Sequence, residues 1–181
     1  MTEIQIFDTI SLSWSTHTAS SSVLIQLRVG HTAVLTSDNN SIIIMGGTSS
    51  YQLNQTTVYP KLLKLDVSSE PYQYSDLNPS ETNPPPPLSY HSANIYSDYM
   101  IITFENITND VTDSNETSSK VYLLYIPCLI WESTFIPGRS DCKSNLGSKS
   151  NSKQNNYRNS HRNPSSSGIT DKDVQNQEQP T

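Results

Sequence analysis

Two stretches of this chain repeat one another at a nearly fixed distance. Residues 28–77 laid over 87–136 put His31 on His91, 60 positions apart. Ile42-Ile43-Ile44 falls on Ile101-Ile102, and Gly46-Gly47 on Glu105-Asn106, Leu65-Asp66-Val67 on Leu124-Tyr125-Ile126 and Tyr72 on Trp131, these three at 59. The first residues carry the back half of an earlier copy, since Phe7-Asp8 falls on Leu65-Asp66 and Trp14 on Tyr72, each 58 apart. A period of this size marks a stacked-repeat architecture, in which each unit buries its apolar faces against its neighbours.

Within each period the pattern is that of strands. Ser41-Ile42-Ile43-Ile44-Met45 is a short β-branched run bounded by Ser37-Asp38-Asn39-Asn40 and Gly46-Gly47, which reads as a strand buried on both faces. Leu62 to Val67, Tyr72 to Tyr74, Ser89 to Tyr96, Tyr99 to Phe104, Val121 to Ile126 and Ile130 to Phe135 follow between polar turns, and no helix is expected. Each repeated position has a physical task. The glycines end a strand where close approach or a positive φ is needed. Trp14, Tyr72 and Trp131 supply an apolar plate between sheets. Asp8 and Asp66 cap the turn that follows a strand. His31 and His91 read as hydrogen-bonded structural residues of the first strand of each unit.

Arg28-Val29-Gly30-His31-Thr32-Ala33, the isoleucine run with Gly46-Gly47, and Leu63-Lys64-Leu65-Asp66-Val67 before an aromatic resemble a kelch repeat. Leu88-Ser89-Tyr90-His91-Ser92-Ala93 onward resembles a degenerate one. Over residues 4–137 the chain is similar to the kelch and galactose-oxidase β-propeller proteins, especially the Ser/Asn-rich fungal type. The resemblance implies an all-β fold: an incomplete kelch-type propeller of about two and a half four-stranded blades. The half blade spans 1–27, the blades 28–83 and 84–138. A closed ring takes ~4–8 blades. The chain is therefore expected to be a fragment of a longer product or to assemble with other propeller segments.

Composition separates a body from a tail. Residues 1–138 hold 55 apolar residues, enough for a core, whereas 139–181 hold five. Twenty of those 43 tail residues are Ser, Asn or Gln, so the tail is expected to be disordered. The body carries 4 basic and 13 acidic residues, net −9, against 7 and 4 in the tail, net +3. An acidic body excludes nucleic acid as a main ligand, because phosphate binding needs clustered Lys and Arg.

The chain is expected to be no enzyme and to hold no cofactor and no metal. Gly-x-Ser-x-Gly, His-Glu-x-x-His and phosphate-cradling motifs are missing, and none of its ten tyrosines maps onto the oxidase ligand set. Cys128 and Cys142 read as a buried and an exposed thiol, since nothing in the sequence pairs them. Met1 to Ile10 has no basic or apolar leader region and no stretch is long enough to span a membrane, so a cytoplasmic location is the default. An extracellular or membrane-anchored location is the alternative if the chain is a fragment, in which case four sequons, at Asn39, Asn54, Asn106 and Asn115, are open to glycans. Pro84 to Pro87 reads as a stiff spacer between blades, with a polyproline ligand as the other reading.

Two functions follow. One is a non-catalytic kelch-type interaction module that presents loops 48–60 and 107–119 to a protein partner. The other is a structural secreted or cell-surface segment with its sequons used. Blade faces without neighbours should also make the isolated chain self-associate or pair with other propeller segments rather than persist as a monomer.

Overall fold

The alternation of apolar residues builds the expected sheets. A computed structural model describes residues 2–50, 55–108 and 116–142, all within the unit Met1–Leu146. Its strands are β1 (Glu3–Asp8), β2 (Ser13–Thr18), β3 (Ser20–Ser21), β4 (Thr32–Leu35), β5 (Ser41–Met45), β6 (Leu62–Asp66) and β7 (Gln73–Asp76). They continue as β8 (Leu88–Ser89), β9 (Ser92–Tyr96), β10 (Tyr99–Thr103), β11 (Glu105–Ile107), β12 (Glu116–Ser118), β13 (Tyr122–Tyr125) and β14 (Ile130–Glu132). One 3-10 turn, Ile126–Cys128, interrupts an otherwise all-β set of described residues.

Each full repeat is one antiparallel four-stranded sheet, β4-β5-β6-β7 in the first and β9-β10-β13-β14 in the second. β1 and β2 form a separate hairpin that pairs Phe7 with Trp14. β5 is buried on both faces, as its unbroken apolar run requires. Ile43 and Met45 join Leu62, Met100, Ile102, Leu124 and Trp131 in the core between the two sheets. Ile44, with Leu63, Leu65 and Tyr74, packs on the opposite face with Ile4 of the β1–β2 hairpin. These are the stacked faces of a β-propeller, and the innermost strands β4 and β9 pack side by side.

The repeat extends into details that the sequence hides. Isolated bridges join Val29 to Thr48 and Thr48 to Thr57. Fifty-nine positions later Leu88 pairs with Ile107 and Ile107 with Glu116, forming the small sheet β8-β11-β12. β3 runs parallel to β7 as a fifth strand of the first sheet, with Ser20 N donating to Tyr72 O at 2.9 Å. Its counterpart is a single bond, Ser80 N to Leu129 O at 2.8 Å. Left-handed residues also recur: Gly30 and Tyr90 (φ 63° and 51°), Asn39 and Ser97 (58° and 53°), Gly46 and Phe104 (64° and 56°). Phe104, rather than Glu105, therefore stands where Gly46 stands in the first unit.

Five expectations are corrected. The aromatic plate of the first sheet is Tyr74, which lies opposite Leu65 as Trp131 lies opposite Leu124; Tyr72 precedes the strand and is half-buried. Trp14 lies between no pair of sheets; it packs on Phe7 at 5.0 Å and remains 69% exposed. Cys128 and Cys142 are joined in a disulfide, with Cα atoms 5.4 Å apart. That bond and Arg139, whose side chain is 2% exposed, bring residues 139–142 into the folded body instead of the tail. The outer face of the second sheet, expected to be bare, is covered by Phe135 and Arg139. The rest of the tail, 143–181, lies outside the described residues, as do Asn54 and Asn115.

Candidate functional site

The repeated histidines, glycines and arginine converge on the seam between the two sheets. β5 ends at Met45, and Gly46 and Gly47 turn the chain under the start of the second unit. Gly47 N donates to Leu88 O at 2.8 Å, and Arg28 Nη1 donates to Gly46 O at 3.1 Å. A Cβ on Gly46 would meet the Leu88 carbonyl oxygen and lie 3.0 Å from His91 Cε1, so only glycine fits there. His31 and His91 sit one residue before β4 and β9, not within them. His91 Nε2 and Thr32 Oγ1 lie 2.7 Å apart, which ties the second unit to the first.

Burial governs the electrostatics of this seam. His91 is buried, and its pKa is pushed down to about 4, first by desolvation and then by the neighbouring His31. His31 is lowered by desolvation and by Arg28, and Arg28 itself is lowered by desolvation. The two imidazoles are therefore neutral at pH 7; His91 meets the hydrogen-bonding expectation through Thr32, whereas His31 Nδ1 is buried without a hydrogen-bond partner. Arg28, Tyr74 and Leu88 escaped the sequence reading; Arg28 and Leu88 lie in the stretches aligned there, but only their buried contacts give them a role.

The two aspartates do what their positions predict. Asp8 accepts from Ile10 N at 2.8 Å and Ser11 Oγ at 2.7 Å; Asp66 accepts from Ser68 N at 3.1 Å and Ser68 Oγ at 2.6 Å. Both carboxyls are held below the usual range by these bonds, the serine side chain being the larger cause in each.

Beside the seam, the connections 46–61 and 104–121 leave equivalent corners of the two sheets. Ser89 Oγ donates to Gln55 Oε1 at 2.6 Å in a buried contact, so the first connection is fastened to the second unit. Tyr59 N donates to Gln26 Oε1 at 2.7 Å and fixes its other end. Residues 51–54 and 109–115 lie outside the described residues. A cavity of about 440 Å³ opens beneath the first connection, lined by Gly47, Val58, Lys61, Leu77, Pro85 and Trp131. The Pro84–Pro87 run forms one wall of it, and Pro85 is buried. Asn39 of the first sequon stands exposed at the β4–β5 turn, whereas Asn106 lies in the central strand of β8-β11-β12.

Stacked four-stranded sheets with an inner strand seam are the architecture of a propeller, and a family model describes this one. The Attractin/LZTR1 β-propeller model matches residues 1–162. The chain belongs to the Attractin/LZTR1 β-propeller family. The match bears out the propeller fold that the kelch-like residues implied. In this Attractin/LZTR1-type propeller chain the two long connections leave neighbouring four-stranded sheets. No curated protein matches the chain. Among the described residues no helix is long and apolar enough to cross a membrane.

Proposed function

We propose that this chain is a non-catalytic interaction module, and that loops 48–60 and 107–119 contact a protein partner. The observation that carries the reading is the equivalence of the ladders Val29–Thr48–Thr57 and Leu88–Ile107–Glu116. They fix the two loops at matching corners of neighbouring sheets, as binding loops on a rigid scaffold require. On this reading His31, Gly46, Gly47, Asp66, His91 and Trp131 are structural positions of kelch-type units rather than ligand contacts, with Tyr74 at the aromatic position of the first sheet. Among the described residues no three His, Cys, Asp or Glu side chains gather to hold a metal ion. The acidic body, net −9 over residues 1–138, favours a protein over a nucleic acid.

The test is loop-dependent capture. Tyr59→Ala and Thr117→Lys alter exposed loop residues, and Asn40→Ala alters an exposed turn elsewhere. A partner recovered by the parent and by Asn40→Ala, and lost by both loop variants, supports the reading. Recovery by all three variants rejects it.

A second reading, a secreted or cell-surface glycoprotein segment, is favoured by the Cys128–Cys142 disulfide, because such bonds persist in oxidising compartments. It expects a glycan on the exposed Asn39. A mobility shift on endoglycosidase treatment of the natural protein, lost in Asn39→Gln, is the expected result; an unshifted natural protein rejects it.

A further inference from the structure

Residues 133–142 form a strap over the face of the second sheet that points away from the first. Phe135 lies 4.9 Å from the Tyr99 ring and 5.4 Å from the Tyr96 ring. The Arg139 guanidinium sits 4.7 Å from the Tyr125 ring, and Tyr125 Oη donates to Arg139 O at 3.0 Å. Arg139 also pairs with Glu132 and with Asp141. Phe135, Ile136 and Cys142 are the strap's apolar residues, so its own packing is thin for the aromatic face it covers. The disulfide to Cys128 supplies the missing restraint, closing a loop with a sequence separation of 14.

Among the described residues nothing covers the opposite end of the stack. Phe7 is 41% and Trp14 69% exposed, on the face of the β1–β2 hairpin turned away from the first sheet. Stacking between successive units already runs in one direction within the chain. Continued between copies, the same direction lays Phe7 and Trp14 of one copy on Tyr99, Leu123 and Tyr125 of another. Such a head-to-tail contact needs both faces open at once.

We propose that the Cys128–Cys142 disulfide is a redox clasp that decides whether the outer face of the second sheet is covered by its own strap or by the β1–β2 hairpin of a second copy. A small dithiol opens it. Its thiolate attacks one sulfur, the Cys128–Cys142 bond breaks, two electrons and two protons leave two cysteine thiols, and the dithiol closes to its own disulfide. The clasp goes beyond the loop-binding reading and does not depend on it.

Trypsin reports the strap, because cleavage after Arg139 requires that buried side chain to be freed. Sedimentation reports the mass. The full chain is compared oxidised, reduced with dithiothreitol and alkylated, and as Cys142→Ser. Reduction should raise cleavage after Arg139 by roughly two orders of magnitude, the restraint that a loop of this length supplies. The reduced chain should also sediment as two or more copies, and Trp14→Ser should abolish that gain while leaving the cleavage gain intact. Unchanged cleavage overturns the proposal. So does cleavage without a gain in mass, and so does a gain in mass that Trp14→Ser leaves unaltered.

Discussion

Tyr90 lies on Gly30, its own counterpart one unit earlier: Tyr90 N donates to Gly30 O at 2.7 Å, and the ring stands 3.0 Å from where a Gly30 Cβ would be. Both residues have positive φ, so the two units meet through the same backbone bend. The seam is thus a contact between equivalent positions, and its glycines differ in what surrounds them. A Gly30→Ala methyl meets a half-exposed ring that can shift, so the cost should be about 1–2 kcal/mol, mostly from φ. A Gly46→Ala methyl meets the Leu88 carbonyl, which is backbone, and should cost more, roughly 3 kcal/mol or above. Urea midpoints of the two variants check the order.

The degenerate unit should improve where the first already has glycine. Phe104 is 77% exposed and held at φ 56°. Phe104→Gly sacrifices little packing and relieves the left-handed backbone, so stability should rise by about 1 kcal/mol. A lower thermal midpoint would show that the ring contributes more than its exposure indicates.

The two tryptophans should respond oppositely. Trp131 is 4% exposed in the core between the sheets, and Trp131→Ala should cost about 3–5 kcal/mol. Trp14→Ala should stay within about 0.5 kcal/mol, since that side chain is mostly in water. Chemical denaturation followed by circular dichroism separates them.

Acid should weaken the seam before it protonates the folded protein. His91 has a folded pKa of about 4 against an ordinary 6.5. Its stabilising effect is complete above pH 6.5 and is lost as pH falls toward 4, because the unfolded chain takes up the proton first. The loss is at most about 3 kcal/mol. His91→Gln should flatten the stability profile between those limits; an unchanged slope would assign the acid sensitivity to other groups.

Breaking the buried ion pair should cost more than an exposed one. Glu132 and Arg139 side chains are 7% and 2% exposed. Glu132→Ala removes one of the guanidinium's two carboxylates and leaves Asp141, and a loss of about 1.5–3 kcal/mol is expected in denaturant titration.

Much of this fold was legible because one unit announces the next. The isoleucine run of β5 is long and β-branched enough to fix a strand buried on both faces, and Asp8 and Asp66 mark turns that they indeed cap. Side-chain facing was harder. Tyr72 and Tyr74 are two residues apart and share a parity, so alternation alone could not decide which lies opposite Leu65. The left-handed bend at Phe104 gave no signal, since a phenylalanine there looks like strand. The strap was invisible for another reason: five apolar residues in 139–181 read as solvated chain, whereas its attachment comes from one disulfide and one buried arginine.

The parallel pairing of β3 with β7 also imposes an order on synthesis. Ser20 finds its partner at Gln73, 53 residues later. At ~5–20 residues per second a ribosome needs roughly 3–10 s to supply that partner, far longer than the microseconds in which a hairpin forms. β1 and β2 can fold while Ser20 and Ser21 wait. The first sheet is complete only when its fourth strand has emerged and the earlier-made Ser20 and Ser21 are laid along its rim.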